Sequence, residues 1–170
     1  MQTANRIAAS EKSAGDFCRD SRRFHCSTSG AGAGRFFGRL LDAFPFLDVT
    51  AIDVNPLRVA DINAVRDGGV ENLRALTMNA TAIALPNNAV DVVTALEVLE
   101  HLTAPAVAAR EIVRVARRFV VASVPSKEDD NPEHIQLFNQ ASWEKLWLDA
   151  GARSVKIEYV LNHMIAVVKV

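Results

Sequence analysis

Asp91-Val92-Val93-Thr94-Ala95-Leu96-Glu97-Val98-Leu99-Glu100-His101-Leu102 is the stretch that decides the fold. Val90, Val92, Val93 and Ala95 surround a single Asp, the pattern of a strand covered on both faces. Two carboxylates and an imidazole follow where that strand ends, in what reads as an acidic helix. Open α/β sheets bind ligands outside the carboxyl ends of their strands, so chemistry is expected at this junction.

Outward from it, strand-like and helix-like stretches alternate from about residue 34, the mark of a parallel sheet with helices on both faces. Residues 34–44 carry Phe36, Phe37, Leu40 and Leu41 at helical spacing before Pro45. A strand over 49–54 stops at Asn55, and Pro56 opens a helix to about Arg66. Further strands are expected over 73–78, 90–95 and 119–124, with Thr103 as N-cap of a helix to Ala116 that exposes Glu111 and Arg114. Ser142 is expected to cap a helix to Asp149, ended by Gly151. Strands over 154–161 and 164–170 are joined at Asn162 and His163, a connection short enough to require antiparallel pairing. The expectation is an α/β, Rossmann-like three-layer sandwich whose seven-stranded, mostly parallel sheet ends in an antiparallel C-terminal hairpin.

The chain of 170 residues suits one domain with a substantial core. A net charge of −1 provides no basic field for nucleic acid or anionic membrane. No apolar run approaches the length of a membrane span, and the N-terminus has no signal-peptide core, so a cytoplasmic protein is expected. Cys18 and Cys26, the two cysteines, make neither a disulfide framework nor a zinc site.

Gly30-Ala31-Gly32-Ala33-Gly34 precedes the first helix. Alternate glycines let backbone approach a ligand, and a helix N-terminus presents unpaired N–H groups. The dinucleotide pattern G-x-G-x-x-G fails here, because Arg35 or Phe37 falls where its last glycine belongs. Asp53 closes the second strand, where a carboxylate can accept from both hydroxyls of a ribose or cap the turn at Asn55. Glu97, Glu100 and His101 stand at i, i+3 and i+4, one face of a helix, with His134 in the loop after the fifth strand.

The strand-four stretch, the G-x-G-x-G run and Asp53 together resemble class I S-adenosylmethionine-dependent methyltransferases, in the branch that carries a VLEHL-like sequence at strand four. The resemblance covers residues 30–170 as the methyltransferase domain and leaves 1–29 as a short irregular segment with a divergent first strand. It implies S-adenosylmethionine as cofactor. Gly30, Ala31, Gly32 and Gly34 would hold its methionine part, Asp53 and Val54 the ribose side, and Asn79, Ala80 and Leu96 the adenine or methionine portion. Relatives place Asp where Asn79 stands, so the charge is lost there while an acceptor oxygen remains; a loop-capping Asn is the competing reading. The terminal hairpin separates this family from nucleotide-dependent oxidoreductases.

Relatives also carry LLDVGCGxG, whereas this chain has Cys26-Ser27-Thr28-Ser29-Gly30, with Thr28 in place of the acid. Two explanations stay open. The sequence is divergent, or residues before Gly30 are read out of frame: codons TGC TCG ACG TCG, read one base earlier, encode Leu-Leu-Asp-Val and then Gly. On either, the first strand is weakened, and so is the hold on the cofactor's amino group.

Small-RNA 2′-O-methyltransferases and some ubiquinone-pathway O-methyltransferases bind magnesium through a comparable set. Glu97, Glu100, His101 and His134 are accordingly the candidates for a metal. The same letters occur in relatives without one, and no metal is expected. His134 is the candidate general base. His25 and His163 read as structural.

The function implied is methyl transfer to a small-molecule acceptor. The alternatives are a degenerate, non-catalytic methyltransferase fold or partner subunit, a magnesium-dependent O-methyltransferase, and, against the glycine spacing, an oxidoreductase. The family's N-terminal lid reads as short or missing, so a second subunit, as a homodimer, could close the pocket. The acceptor is not legible in the residues.

Overall fold

The computed structural model describes residues 23–27, 33–128 and 130–170, with backbone alone for 23–27 and 33–35. Strands β1 (Arg23–Ser27), β2 (Asp48–Asp53), β3 (Leu73–Thr77), β4 (Val90–Leu96), β5 (Ala116–Pro125), β6 (Ser154–Val160) and β7 (His163–Lys169) form one sheet in the order β3-β2-β1-β4-β5-β7-β6. Pairing is parallel from β3 through β5, and β7 runs antiparallel to both β5 and β6. The helices are α1 (Ala33–Ala43), α2 (Pro56–Asp67), α3 (Pro105–Val115) and α4 (Gln140–Asp149).

Three layers result. Phe37 and Leu41 of α1 with Val59 and Ile62 of α2 cover Val49, Ala51, Leu73, Ala75 and Val92 on one face. On the other face Ala109, Ile112 and Val113 of α3 and the fully buried Trp143 and Trp147 of α4 cover Val93, Ala95, Val120 and Ala122. Alternate residues of β2 and β4 thus enter opposite cores, as strands with both faces covered require. The edge strand β3 is protected by Asn63 of α2, whose amide both donates to the Ala75 carbonyl (3.1 Å) and accepts from its N–H (2.9 Å).

The divergent first strand takes a central position by its backbone, with Ser27 opposite Ile52 of β2 and Ala95 of β4. Whether its side chains weaken it, and whether the frame differs there, lie outside the described residues. The lone Asp of β4 is structural: Asp91 is buried at the strand's start and paired with Arg117.

Three local expectations change. The stretch after β4 is not an acidic α-helix; Leu99–His101 forms one 3-10 turn, and Glu97 precedes it at φ 53°. Thr103 does not cap α3. Ala104 is the N-cap, without a side-chain bond, and Pro105 occupies N1. Proline disfavours α conformation in the residue before it, which sets the helix start there. At α4 the cap is Asn139, and Ser142 is its N3 partner: Asn139 Oδ1 accepts from Ser142 N–H (2.9 Å) while Ser142 Oγ accepts from Asn139 N–H (3.0 Å).

Glu111 and Arg114 are more than a solvated helix face. Glu111 accepts the Ile83 N–H (2.9 Å), and Arg114 donates to the carbonyls of Ile83 (2.8 Å) and Leu85 (2.7 Å) and to Asn87 Oδ1 (3.0 Å). The two side chains also pair with each other at 2.7 Å, which holds the Glu111 carboxyl below the usual carboxylate range and raises the Arg114 guanidinium. The loop between β3 and β4 is clamped by this pair.

Candidate functional site

The register fixes where the carboxyl edge of the sheet opens. Ser27 ends β1 opposite Ile52 and Ala95, each one residue before Asp53 and Leu96, and α1 starts at Ala33. Gly30, Ala31 and Gly32 fall outside the described residues, and Gly34 lies in the first turn of α1. The end of β1 is thereby set beside the end of β2, where Asp53 stands.

Asp53 is buried at the end of β2. Its Oδ1 accepts the Asn55 N–H (2.8 Å), the turn role that the sequence left open, and Asn55 in turn caps α2 through Leu57 N–H (2.9 Å). Oδ2 is buried with no hydrogen bond among the described residues; Arg58 Nη1 stands 3.6 Å away, in ion-pair range but too long to donate. An unsatisfied buried carboxylate oxygen is costly, and a ligand hydroxyl would relieve it. The acid therefore fits a ribose.

Val54, beside it, is exposed, an apolar surface next to the carboxylate. Asn79 Oδ1 accepts from both the N–H (2.9 Å) and the hydroxyl (2.8 Å) of Thr81, so it caps the turn after β3 and its oxygen is already used. Ala80 is buried and Leu96 half-buried at the end of β4. A cavity of about 300 Å³ lies elsewhere, between α1 and α2, and none of these residues lines it.

The acidic stretch divides into two groups. Glu100 is fully buried, and a carboxylate oxygen and a ring nitrogen from each of His101 and His134 lie within 4.8 Å of one another. The loop carrying His134 is brought there by backbone: the N–H groups of Ile135 and Gln136 both donate to the Glu100 carbonyl at 3.0 Å. His101 Nδ1 meets the Glu133 carbonyl at 2.9 Å, and His134 Nε2 meets Asn131 Nδ2 at 3.0 Å. A carboxyl oxygen and two ring nitrogens this close form a donor set of the kind a divalent cation takes.

Glu97 does not join them. Helical i, i+3 geometry is lost because its φ of 53° turns the chain before the 3-10 turn begins. Its carboxylate instead accepts from Ser123 Oγ of β5 (2.7 Å) and lies 3.3 Å from His163 Nε2 at the start of β7. Sequence reasoning passed over both partners. Ser123 was detectable as the polar interruption of the apolar β5 run at its carboxyl end. His163 reaches the site only because β7 is antiparallel, which brings its first residue opposite Pro125.

Residues 28–119, more than half of the chain, match the family model of a methyltransferase domain. A curated relative from Mycobacterium tuberculosis, named probable S-adenosylmethionine-dependent methyltransferase, is 32% identical over 131 residues, which is 71% of this chain and 46% of the relative. The chain thus spans about half the length of the curated relatives it matches. Among solved structures, a SAM-dependent methyltransferase from Aquifex aeolicus superposes with TM-score 0.73 at 24% identity, covering 94% of this chain and 87% of that one. A chain from the complex between the Haloferax volcanii Trm112 methyltransferase activator and a methyltransferase gives TM-score 0.74 at 14% identity, over 92% and 88%. At these identities the structural likeness is one of fold, the Rossmann-like α/β fold. The chain belongs to the class I S-adenosylmethionine-dependent methyltransferases, with S-adenosylmethionine as cofactor.

Proposed function

We propose that this domain transfers the cofactor's methyl group to a small-molecule acceptor. The observation that carries this is Asp53, a buried carboxylate with one oxygen unsatisfied among the described residues, at the carboxyl end of β2 beside the end of β1. In this reading Asp53 accepts from the ribose hydroxyls, and the backbone of Gly30, Ala31, Gly32 and Gly34 approaches the methionine part. Val54, Ala80 and Leu96 supply apolar contact to the nucleoside. With its Oδ1 engaged by Thr81, Asn79 shapes the adenine side through its turn and its remaining amide N–H groups.

Bound S-adenosylmethionine supplies an already reactive methyl sulfonium. The chain's part is to align the acceptor with it and keep water out, so a strong catalytic base is not required.

Calorimetry with S-adenosylmethionine and S-adenosylhomocysteine tests the reading. Micromolar dissociation constants are expected. No heat at millimolar ligand would overturn it in favour of a non-catalytic methyltransferase fold or partner subunit.

A second reading has one observation in its favour, the convergence of Glu100, His101 and His134. These would hold a divalent cation that polarises an acceptor oxygen, without Glu97 as a fourth ligand. His134 as a general base belongs to the version without metal.

A further inference from the structure

We infer that the outer edge of β6 is a self-pairing surface, on which a second copy of this chain continues the sheet antiparallel about a two-fold axis at Ile157. β6 ends the strand order, at the far end of the sheet from β2 and β3, and the inference is independent of the methyl-transfer reading. The two edges of the sheet are finished differently. On β3 the Asn63 side chain occupies both the N–H and the carbonyl of Ala75. Among the described residues no side chain does this for β6, whose seven residues pair with β7 on one side only. Alternate N–H and C=O groups along its outer side are left to find a partner.

The side chains select that partner. Pairing β6 with its own copy about Ile157 sets Ser154 against Val160, Val155 against Tyr159 and Lys156 against Glu158, each twice. Val155, Ile157 and Tyr159 share the face that carries α4: the first two pack on the core, and Tyr159 O–H reaches Gln140. Aromatic and β-branched residues directly opposite are favourable pairs, and Tyr159 and Val160 are 55% and 50% exposed in the single chain. On the other face Lys156 and Glu158, with side chains 74% and 47% exposed, form an ion pair within the strand at 2.6 Å. An edge lysine ordinarily guards against pairing, because most incoming strands leave its charge unmatched. The opposite charge two residues on lifts that guard for one partner, since each Lys156 then faces Glu158 of the second copy. A slip of two residues sets Lys156 against Lys156 or Glu158 against Glu158, which repel. The full strand in register adds roughly six to eight main-chain hydrogen bonds.

Sedimentation equilibrium of the full chain reads the association. The wild type is expected to form a dimer with a micromolar dissociation constant. Lys156→Glu and Glu158→Lys each set like charges opposite one another twice, and each should weaken the dimer about thirtyfold. The double exchange Lys156→Glu/Glu158→Lys rebuilds the complement in the same register and should recover wild-type association. An equimolar mixture of the two single variants should also associate, as a heterodimer. Both side chains are exposed, so every variant should keep the wild-type circular dichroism. The exchange and the mixture reverse a loss that comes from charge and not one that comes from misfolding. A wild type that stays monomeric at millimolar concentration overturns the inference. Association indifferent to the single variants, or not recovered by the double exchange, puts the contact on another face and overturns it as well.

Discussion

The carboxyl edge of this sheet has two halves that are built differently. On the β2–β3 side the polar groups are tied by contacts two residues apart: Asp53 to Asn55, Asn55 to Leu57, Asn79 to Thr81. On the β4–β5–β7 side the contacts cross long stretches of chain: Glu97 to Ser123, His101 to Glu133, Gln136 to Glu100. A half whose site side chains are fixed mainly by local contacts suits a ligand shared by a whole family. A half assembled from remote segments can be re-specified by changing one loop, and suits a variable acceptor.

The largest effect that would break this contrast is at Asp53. Asp53→Ala should cost about 3 kcal/mol of S-adenosylhomocysteine binding, roughly two orders of magnitude in affinity, because two bonds to a charged acceptor disappear. The ligand-free protein should change little in melting temperature, because loss of the Oδ1 bond to the Asn55 N–H is offset by removal of a buried carboxylate oxygen that lacks a hydrogen bond. Calorimetry and thermal unfolding read the two quantities separately. A large loss of stability with little change in binding would make Asp53 a turn residue and nothing more.

That division also explains what was legible beforehand. The alternation of strands and helices is a local pattern, and the sheet follows it; the glycine run from Gly30 to Gly32 lies outside the described residues. Asn79 was readable as both contact and cap, and the cap is what the structure contains. Glu97 was misplaced because a three- and four-residue spacing was read as helix where a single positive φ diverts the chain. His163 read as structural because its distance from Glu97 depends on the antiparallel return of β7. Periodicity contains no term for either.

Between the halves, Arg114 and Glu111 of α3 hold the loop that follows Asn79 and Ala80. Arg114→Ala should destabilise the fold by about 3 kcal/mol in denaturant unfolding, since several charge-assisted bonds to Glu111 and to loop carbonyls go together. The pair also sets an acid limb. Glu111's carboxyl is lower in the folded chain than in the unfolded one, chiefly through its hydrogen bond to Arg114. Its contribution is therefore complete above the unfolded value, about 4.3, and is lost as pH falls through the lower folded value. Glu111→Gln should remove that part of the stability slope. An identical acid limb in the variant would mean the clamp is held by Arg114 and the loop carbonyls alone.

The Glu100, His101 and His134 group is probed next, with a smaller shift. If these side chains hold a cation, magnesium or manganese at ten times its dissociation constant should stabilise by about 1.4 kcal/mol, or about 3–5 °C for a domain of this size. His134→Ala should abolish the shift. Melting temperatures indifferent to the ion in both proteins would remove the cation reading.

The smallest effect separates strain kept for a purpose from strain that is incidental. Glu97 and Leu161 have nearly the same positive φ, 53° and 54°. Leu161 opens the two-residue turn between β6 and β7 and is 94% exposed, with nothing packed on it to hold the conformation. Glu97 is held by Ser123 and His163. Asparagine tolerates the left-handed region, so Leu161→Asn should stabilise the protein by about 1 kcal/mol. Glu97→Asn obtains the same backbone relief but gives up its carboxylate's contacts with Ser123 and His163, contributions of similar size, so its net change should lie near zero. Urea unfolding of the two variants side by side measures the difference. Equal gains would show that the contacts around Glu97 contribute nothing, and its conformation would then be as incidental as that of the turn.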